Sequence, residues 1–163
     1  MPRKPEIIIA LDLGTRCGWA VFNGKRVVES GRWSLLTSRK GRHRAERWLN
    51  FDARLETLIE HYEPDVVAYE EVRRHVGTTA AHVYGGLLAQ VEIADWRWPD
   101  AEFVPIGVGT WKKATVGQGN ATKDDVLHWA KRKFRFTPKS EDEADALGIG
   151  EAVRRIRRGE YAP

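Results

Sequence analysis

Hydrophobic patterning begins with "IIIALDLG" at residues 7–14, a short apolar run closed by glycine. A run of that length without alternation predicts a strand buried on both faces. "WAVF" (19–22) and "KRVVESGRWSLL" (25–36) read as two more strands. Asn23-Gly24 between them tolerates positive φ at both positions, which predicts a hairpin. The chain therefore opens with three antiparallel strands. "TSRKGRH" (37–43) is polar and basic and reads as a loop. From Arg44 to Tyr62 the apolar positions Trp48, Phe51, Leu55, Leu58, Ile59 and Tyr62 recur at helical steps, and Pro64 closes that stretch. "DVVAYEEV" (65–72) predicts a fourth strand, Thr78 or Thr79 to Trp96 a second helix, and "AEFVPIG" (101–107) a fifth strand. "GTWKKATVGQGNA" (109–121) reads as a glycine-rich connection. Thr122 with Asp125 forms a capping-box pattern opening a helix through Phe134, and a last helix follows Ser140. The order βββαβαβαα predicts an α/β fold, one mixed five-stranded sheet flanked by helices, with residues 1–163 as a single domain.

Composition narrows the class. The chain has 163 residues, 42% apolar and 31% charged, as a soluble globular protein does. No apolar run approaches the roughly 18 residues of a membrane span, and the start lacks the pattern of a signal peptide. One cysteine, Cys17, excludes an internal disulfide framework and fits a reducing cytoplasm. The net charge is +4, with basic residues clustered at 38–47, 73–75, 112–113, 131–135 and 154–158. Each cluster alone reads as a solvated face; five of them beside seven tryptophans point to a phosphate-rich partner. Trp33, Trp48, Trp111 and Trp129 read as core or surface aromatics, and Trp96 and Trp98 as packing residues beside Pro99.

"EDEADALGIG" (141–150) carries the chemistry. Ser140 with Glu143 predicts a capping box that starts the helix at Glu141. On a helical wheel Asp142, Asp145, Ala146, Ile149, Val153 and Ile156 fall on one stripe about 100° wide. Glu141, Glu143, Glu151, Arg154, Arg155 and Arg158 fall outside it. Acidic residues favour a helix N-terminus through the macrodipole, which accounts for Glu141 and Glu143. It does not account for carboxylates in line with Ile149 and Val153, so Asp142 and Asp145 are expected to point at the protein body.

Two further carboxylates lie where charge is unexpected. Asp12 interrupts the first apolar strand, and Glu70 shares a strand face with Val66 and Ala68 while Glu71 points away. If the two strands are neighbours, Asp12 and Glu70 emerge at the same part of the sheet. At about 4 Å and an effective dielectric near 20, each like-charged pair costs roughly 4 kcal/mol. Such a cluster persists only around cations. All-oxygen ligation suits Mg²⁺ or Mn²⁺. The five histidines show no zinc spacing. Two hard cations on a basic chain imply phosphodiester chemistry.

Asp12 in "ALDLGTRCGWAV", Glu70 in "PDVVAYEEV", "TVGQGNATKDDV", and Asp142 and Asp145 in "DEADALGIG" together resemble the RuvC family of Holliday-junction resolvases. The likeness runs from Ile7 to Ile156. It implies a ribonuclease H-like fold, a homodimer, and cleavage of four-way DNA junctions with two Mg²⁺ or Mn²⁺ ions per site. By that resemblance Asp12, Glu70, Asp142 and Asp145 are the metal ligands and Lys123 a catalytic or phosphate-contacting helper. The basic clusters supply candidate DNA contacts: Arg39, Lys40 and Arg42 in the loop, Arg73 and Arg74 after the fourth strand, Lys112 and Lys113, with Lys123. The helix from Thr79 corresponds to the family's dimer helix, with Ala81, Gly85, Leu88 and Ile93 on closely packing faces. Gly85 and Gly86 are equally compatible with close approach of that helix to its own sheet.

Two departures stand out. Asp12-Leu13-Gly14 replaces the usual Asp-Pro-Gly, and Arg73 occupies the position of an aromatic that stacks on opened bases. A guanidinium can also stack or pair with phosphate. The brevity of the chain is compatible with a phage-type member, and a bacterial or phage-encoded protein would work in the cytoplasm. The rival readings are a broader branched-DNA nuclease, a YqgF-like RNA-processing enzyme, and a non-catalytic junction-binding protein. "TVGQGNATK" does not meet the Walker spacing.

Overall fold

The computed structural model describes residues 4–37 and 43–163. Strands β1 (Ile7–Asp12), β2 (Arg16–Asn23) and β3 (Arg26–Ser34) form an antiparallel meander. The β2–β3 hairpin forms as expected, but one residue later than Asn23-Gly24 suggests: Asn23 ends β2 and pairs with Arg26, the loop is Gly24-Lys25, and Gly24 alone takes positive φ, at 59°. Strands β4 (Val66–Glu71) and β5 (Glu102–Gly107) add in parallel, giving the order β3-β2-β1-β4-β5. Helices α1 (Ala45–Tyr62) and α2 (Thr78–Arg97) cover one face. Helices α3 (Val108–Thr115), α4 (Lys123–Phe134) and α5 (Glu141–Arg157) cover the other. The mixed five-stranded sheet flanked by helices is the architecture the patterning predicts.

Strand alternation divides the core into two halves. Ile8, Ala10, Ala20, Phe22, Val66 and Ala68 face α3, α4 and α5. Ile9, Leu11, Val21 and Val67 face α1 and α2. Burial on both sides explains why β1 is apolar without a break from Ile7 to Leu11. The Thr122–Asp125 capping box forms in full, whereas at Ser140 only half of the expected box forms: Ser140 accepts from the Glu143 N–H, but the Glu143 carboxylate is bonded elsewhere. Trp33, Trp111 and Trp129 are buried, as expected of core aromatics.

Three further expectations need correction. The stretch 109–121 is not simply a connection, because its first half winds into α3. That helix is eight residues long and begins Val-Gly-Thr, weak helix formers; the burial of Trp111 and Ala114 holds it. Trp96 does not pack within the chain and is 84% exposed. Finally, α5 is not one-sided. Glu143, Glu151 and Arg154, expected outside the buried stripe, are all buried. The cause is position: α5 rests on β1 and β2 and is flanked by α3 and α4, so little of its surface meets solvent. Charge there survives by pairing. Arg154 donates Nε and Nη2 to the two oxygens of Glu151, each at 2.9 Å, and bonds Glu160 at 3.0 and 2.8 Å. No helix among the described residues is long and apolar enough to cross a membrane.

Candidate active site

Strand register assembles the first half of the site. β1 and β4 run parallel with Ala10 beside Ala68 and Leu11 beside Tyr69. One residue further, Asp12 and Glu70 stand side by side at the strand ends, on the face that carries Ala10 and Ala68. That is the face α5 covers. The condition set by the sequence, that the two strands be neighbours, is met.

The second half comes down from α5. Gly18 is the cross-strand partner of Asp12 on β2. A Cβ at Gly18 would overlap the backbone carbonyl of Asp142. The bare glycine thus lets the first turn of α5 rest directly on the sheet, beside Asp12. Asp142 and Asp145 both remain partly open to solvent while Ala144 and Ala146 are buried.

The electrostatics record the convergence. Burial, then the charges of Asp145, Glu70 and Asp142, push the Asp12 carboxyl well above the usual carboxylate range; Lys123 opposes them. Burial and Glu70 raise Asp145 to about 7, against the opposing pull of Lys112. Burial also raises Glu70, opposed by the indole N–H of Trp111 and by Lys112. Asp12 and Asp145, raised by burial and by neighbouring carboxylates, thus mark a strongly acidic site next to basic side chains.

Two of the acids have local support. Glu70 Oε2 accepts from Trp111 Nε1 at 2.7 Å, and its backbone carbonyl accepts from the Tyr84 hydroxyl at 3.0 Å. Trp111 in turn packs against Gly148 of α5, where no Cβ would fit. Asp142 Oδ2 lies 3.9 Å from the Arg32 guanidinium on β3. Among the described residues no three carboxylate, histidine or cysteine side chains close on one point as a ready-made ligand cluster. Glu70 is turned to Trp111 and Asp142 toward Arg32. The donor set nevertheless fits a hard divalent cation: it is all oxygen, and the raised Asp12 and Asp145 are acids that a cation would return to the charged form.

The family model described as crossover junction endodeoxyribonuclease RuvC matches residues 8–153. The chain belongs to the RuvC family. A RuvC of Prochlorococcus marinus is 29% identical over 150 residues, covering 88% of this chain and 94% of its own length. That of Ruegeria pomeroyi is 32% identical over 147 residues, covering 87% of each. The fold of T. thermophilus RuvC in complex with Holliday junction substrate matches with a TM-score of 0.82 at 24% identity, over 94% of this chain and 96% of that one. A yeast mitochondrial Holliday junction resolvase matches at 0.67 with 13% identity, over 96% and 81%. RuvC proteins are metal-dependent nucleases, and the acidic pocket lies within the matched span.

The basic residues of this RuvC chain divide into three groups. Lys112 and Lys123 border the acids. Lys112 is half-buried, donates Nζ to the Ala121 carbonyl at 3.0 Å, and sits over the Trp111 ring. Lys123 is exposed, and Glu141 at 2.9 Å holds its ammonium above the usual range. Arg73, Arg74 and Lys113 are exposed, Arg73 pairing with Glu71 at 3.2 Å. Arg39, Lys40 and Arg42 lie outside the described residues. On α2 the two glycines separate: Gly86 presses on Trp48 of α1, whereas Gly85 faces open space.

Trp111, Tyr84, Arg32 and Glu143 are the site's supports that sequence reading overlooks. A tryptophan N–H needs a partner when buried, so Trp111 carried a signal. Arg32 carried none, because its reach to α5 depends on how the sheet and helix meet. Trp111→Phe removes the donor to Glu70 and keeps an aromatic against Gly148. A hydrogen bond to a charged group contributes about 1.5–3 kcal/mol, so junction cleavage is expected to fall roughly 10- to 100-fold. Single-turnover cleavage rates check this, and a wild-type rate would show that Trp111 only packs.

Proposed function

We propose that this chain resolves four-way DNA junctions by paired phosphodiester hydrolysis, with Asp12, Glu70, Asp142 and Asp145 as its metal ligands. The observation that carries the reading is the juxtaposition of Asp12 and Glu70 at adjacent strand ends beneath the two aspartates of α5. Two Mg²⁺ or Mn²⁺ ions bound there would supply Lewis acidity to the scissile phosphate and screen the carboxylates from one another. Trp111 orients Glu70, and Lys112 supplies fixed positive charge beside Glu70 and Asp145. Lys123 and Arg32 stand at the rim, where a phosphate would meet them as charged donors. Arg73, Arg74 and Lys113, exposed beyond the rim, contact the DNA arms through salt-sensitive phosphate interactions.

Paired nicks on a symmetric junction need two sites related by a two-fold axis. The exposed side of α2 suits that role: Gly85 is open, Ile93 is 44% exposed and Trp96 84%. We read this as the homodimer face, and the cytoplasm as the place where the dimer meets its DNA.

The test is cleavage of labelled substrates by the wild-type protein in Mg²⁺ and in EDTA. A mobile four-way junction, a flap, a matched duplex and an RNA–DNA hybrid are compared. Symmetric, metal-dependent cuts confined to the junction are expected. Equal cutting of the flap would widen the substrate class to branched DNA at large. Cutting that needs a 2′-hydroxyl would replace the reading with an RNA-processing one, and binding without cutting would end the catalytic reading.

A further inference from the structure

We propose that Glu143 is a positioning residue, fixing the Asp142 carboxylate by clamping the first turn of α5 to the edge strand β3. The inference rests on the reading of Asp142 as a metal ligand. Glu143 is only 4% exposed. A carboxylate at the third helical position ordinarily returns to the cap residue's own N–H, and this one does not. Ser140 still caps the helix by accepting from the Glu143 N–H at 3.1 Å. The Glu143 side chain instead reaches away from the helix. Its Oε1 accepts from the Ser30 hydroxyl of β3 at 2.7 Å, and its Oε2 accepts from the Lys139 N–H at 2.6 Å.

Helix capping does not require this arrangement, because Ser140 already meets that need. A buried carboxylate carries a desolvation cost that only good partners offset. Here the two partners belong to β3 and to the loop entering α5, so the contact locks three segments together. Both oxygens are turned to β3 and the entry loop, away from the four acids proposed as ligands. Its effect is on its neighbour.

The β2–β3 hairpin completes the clamp. Ser30 pairs with Ala20 and Arg32 with Gly18 across the ladder. Ser30 and Arg32 stand two apart and so project to the same face. Ser30 holds Glu143, Arg32 lies 3.9 Å from Asp142 Oδ2, and Gly18 underlies the Asp142 carbonyl. One hairpin therefore fixes the backbone, the side-chain direction and the following residue of a single proposed ligand. Groups that orient a ligand without touching the metal typically change metal affinity about 10- to 100-fold when removed.

The experiment titrates DNA-free protein with Mn²⁺ and reads the unbound ion by electron paramagnetic resonance. Wild type, Ser30→Ala, Ser30→Thr, Glu143→Gln and Asp142→Asn are compared, with thermal denaturation and junction binding in EDTA alongside. Ser30→Ala and Glu143→Gln are expected to weaken Mn²⁺ binding about tenfold. The Mn²⁺ concentration for half-maximal cleavage should rise in step, while junction binding in EDTA holds. Ser30→Thr keeps the hydroxyl and should restore most of the lost affinity. Ser30→Ala, at a half-buried position, carries the test alone should Glu143→Gln not fold. Lower melting temperatures with Mn²⁺ affinity within twofold of wild type would make the clamp merely structural and overturn the proposal. Unchanged Mn²⁺ binding by Asp142→Asn would instead overturn the ligand assignment beneath it.

Discussion

Asp145→Asn is expected to bind a four-way junction with near wild-type affinity and to cut it at least about a thousandfold more slowly. The substitution keeps the shape of the side chain and removes its capacity for charge. Several kcal/mol of transition-state charge stabilisation depend on cations held by such ligands, and each 1.36 kcal/mol is tenfold in rate. The stability of the metal-free protein should move the other way. Burial and the charge of Glu70 hold Asp145 at about 7 in the folded chain, well above the ordinary carboxylate range. A carboxyl raised on folding favours the folded state fully below its unfolded pKa, and that contribution disappears as pH climbs through the folded value. Between about pH 4 and 7 the wild-type protein without metal therefore loses stability, on the order of 4 kcal/mol from this group. Asp12, raised for the same reasons, adds to the slope. Asparagine does not ionise, so Asp145→Asn should melt higher than wild type at pH 8 in EDTA, with the gap closing near pH 4. Divalent cation should raise the wild-type melting temperature more at pH 8 than at pH 5.5, because binding must displace protons. A variant that still cuts within tenfold of wild type would remove Asp145 from the ligand set. Equal melting of both proteins at pH 8 would show that the carboxylates do not strain the fold.

Much of this site could be read before the structure, and the reason is periodicity. Alternation along "IIIALD" and "VVAYEE" fixes the faces of Asp12 and Glu70 once β1 and β4 are neighbours. Helical spacing aligns Asp142 and Asp145 with Ile149. What escaped has a common cause as well. The wheel for α5 assumes one buried face, and a helix seated on the sheet between α3 and α4 has almost no outer face. That rule places Glu143, Glu151 and Arg154 outside, and it fails for a central helix, where all three are buried. Likewise α3 lies below the length at which propensity decides, and Trp111 forms it by burial. Arg32 and Ser30 lie on an edge strand whose residues look solvated; only the approach of α5 to the hairpin makes them part of the site.

That approach depends on one missing side chain, and Gly18→Ala is expected to cost both stability and activity. The added Cβ would overlap the Asp142 carbonyl, a backbone atom that cannot rotate away as a flexible side chain would. Overpacking in a tight contact costs about 1–3 kcal/mol, occasionally more. Relief requires the first turn of α5 to lift from β2. Lifting moves Asp142 and Asp145 together, since both ride on that end of the helix, while Asp12 and Glu70 stay with the sheet. A displacement near 1 Å can cost about 100-fold in rate when reacting groups must be held in register. Cleavage by Gly18→Ala should therefore fall by at least that factor, with Mn²⁺ affinity falling beside it and junction binding in EDTA retained. The pairing of effects is what distinguishes the lifted helix from general unfolding. In hydrogen exchange, amides of the first turn of α5 should lose protection while those of β1 and β4 keep theirs. Wild-type cleavage by Gly18→Ala would mean that α5 need not rest on the sheet for the four carboxylates to work together.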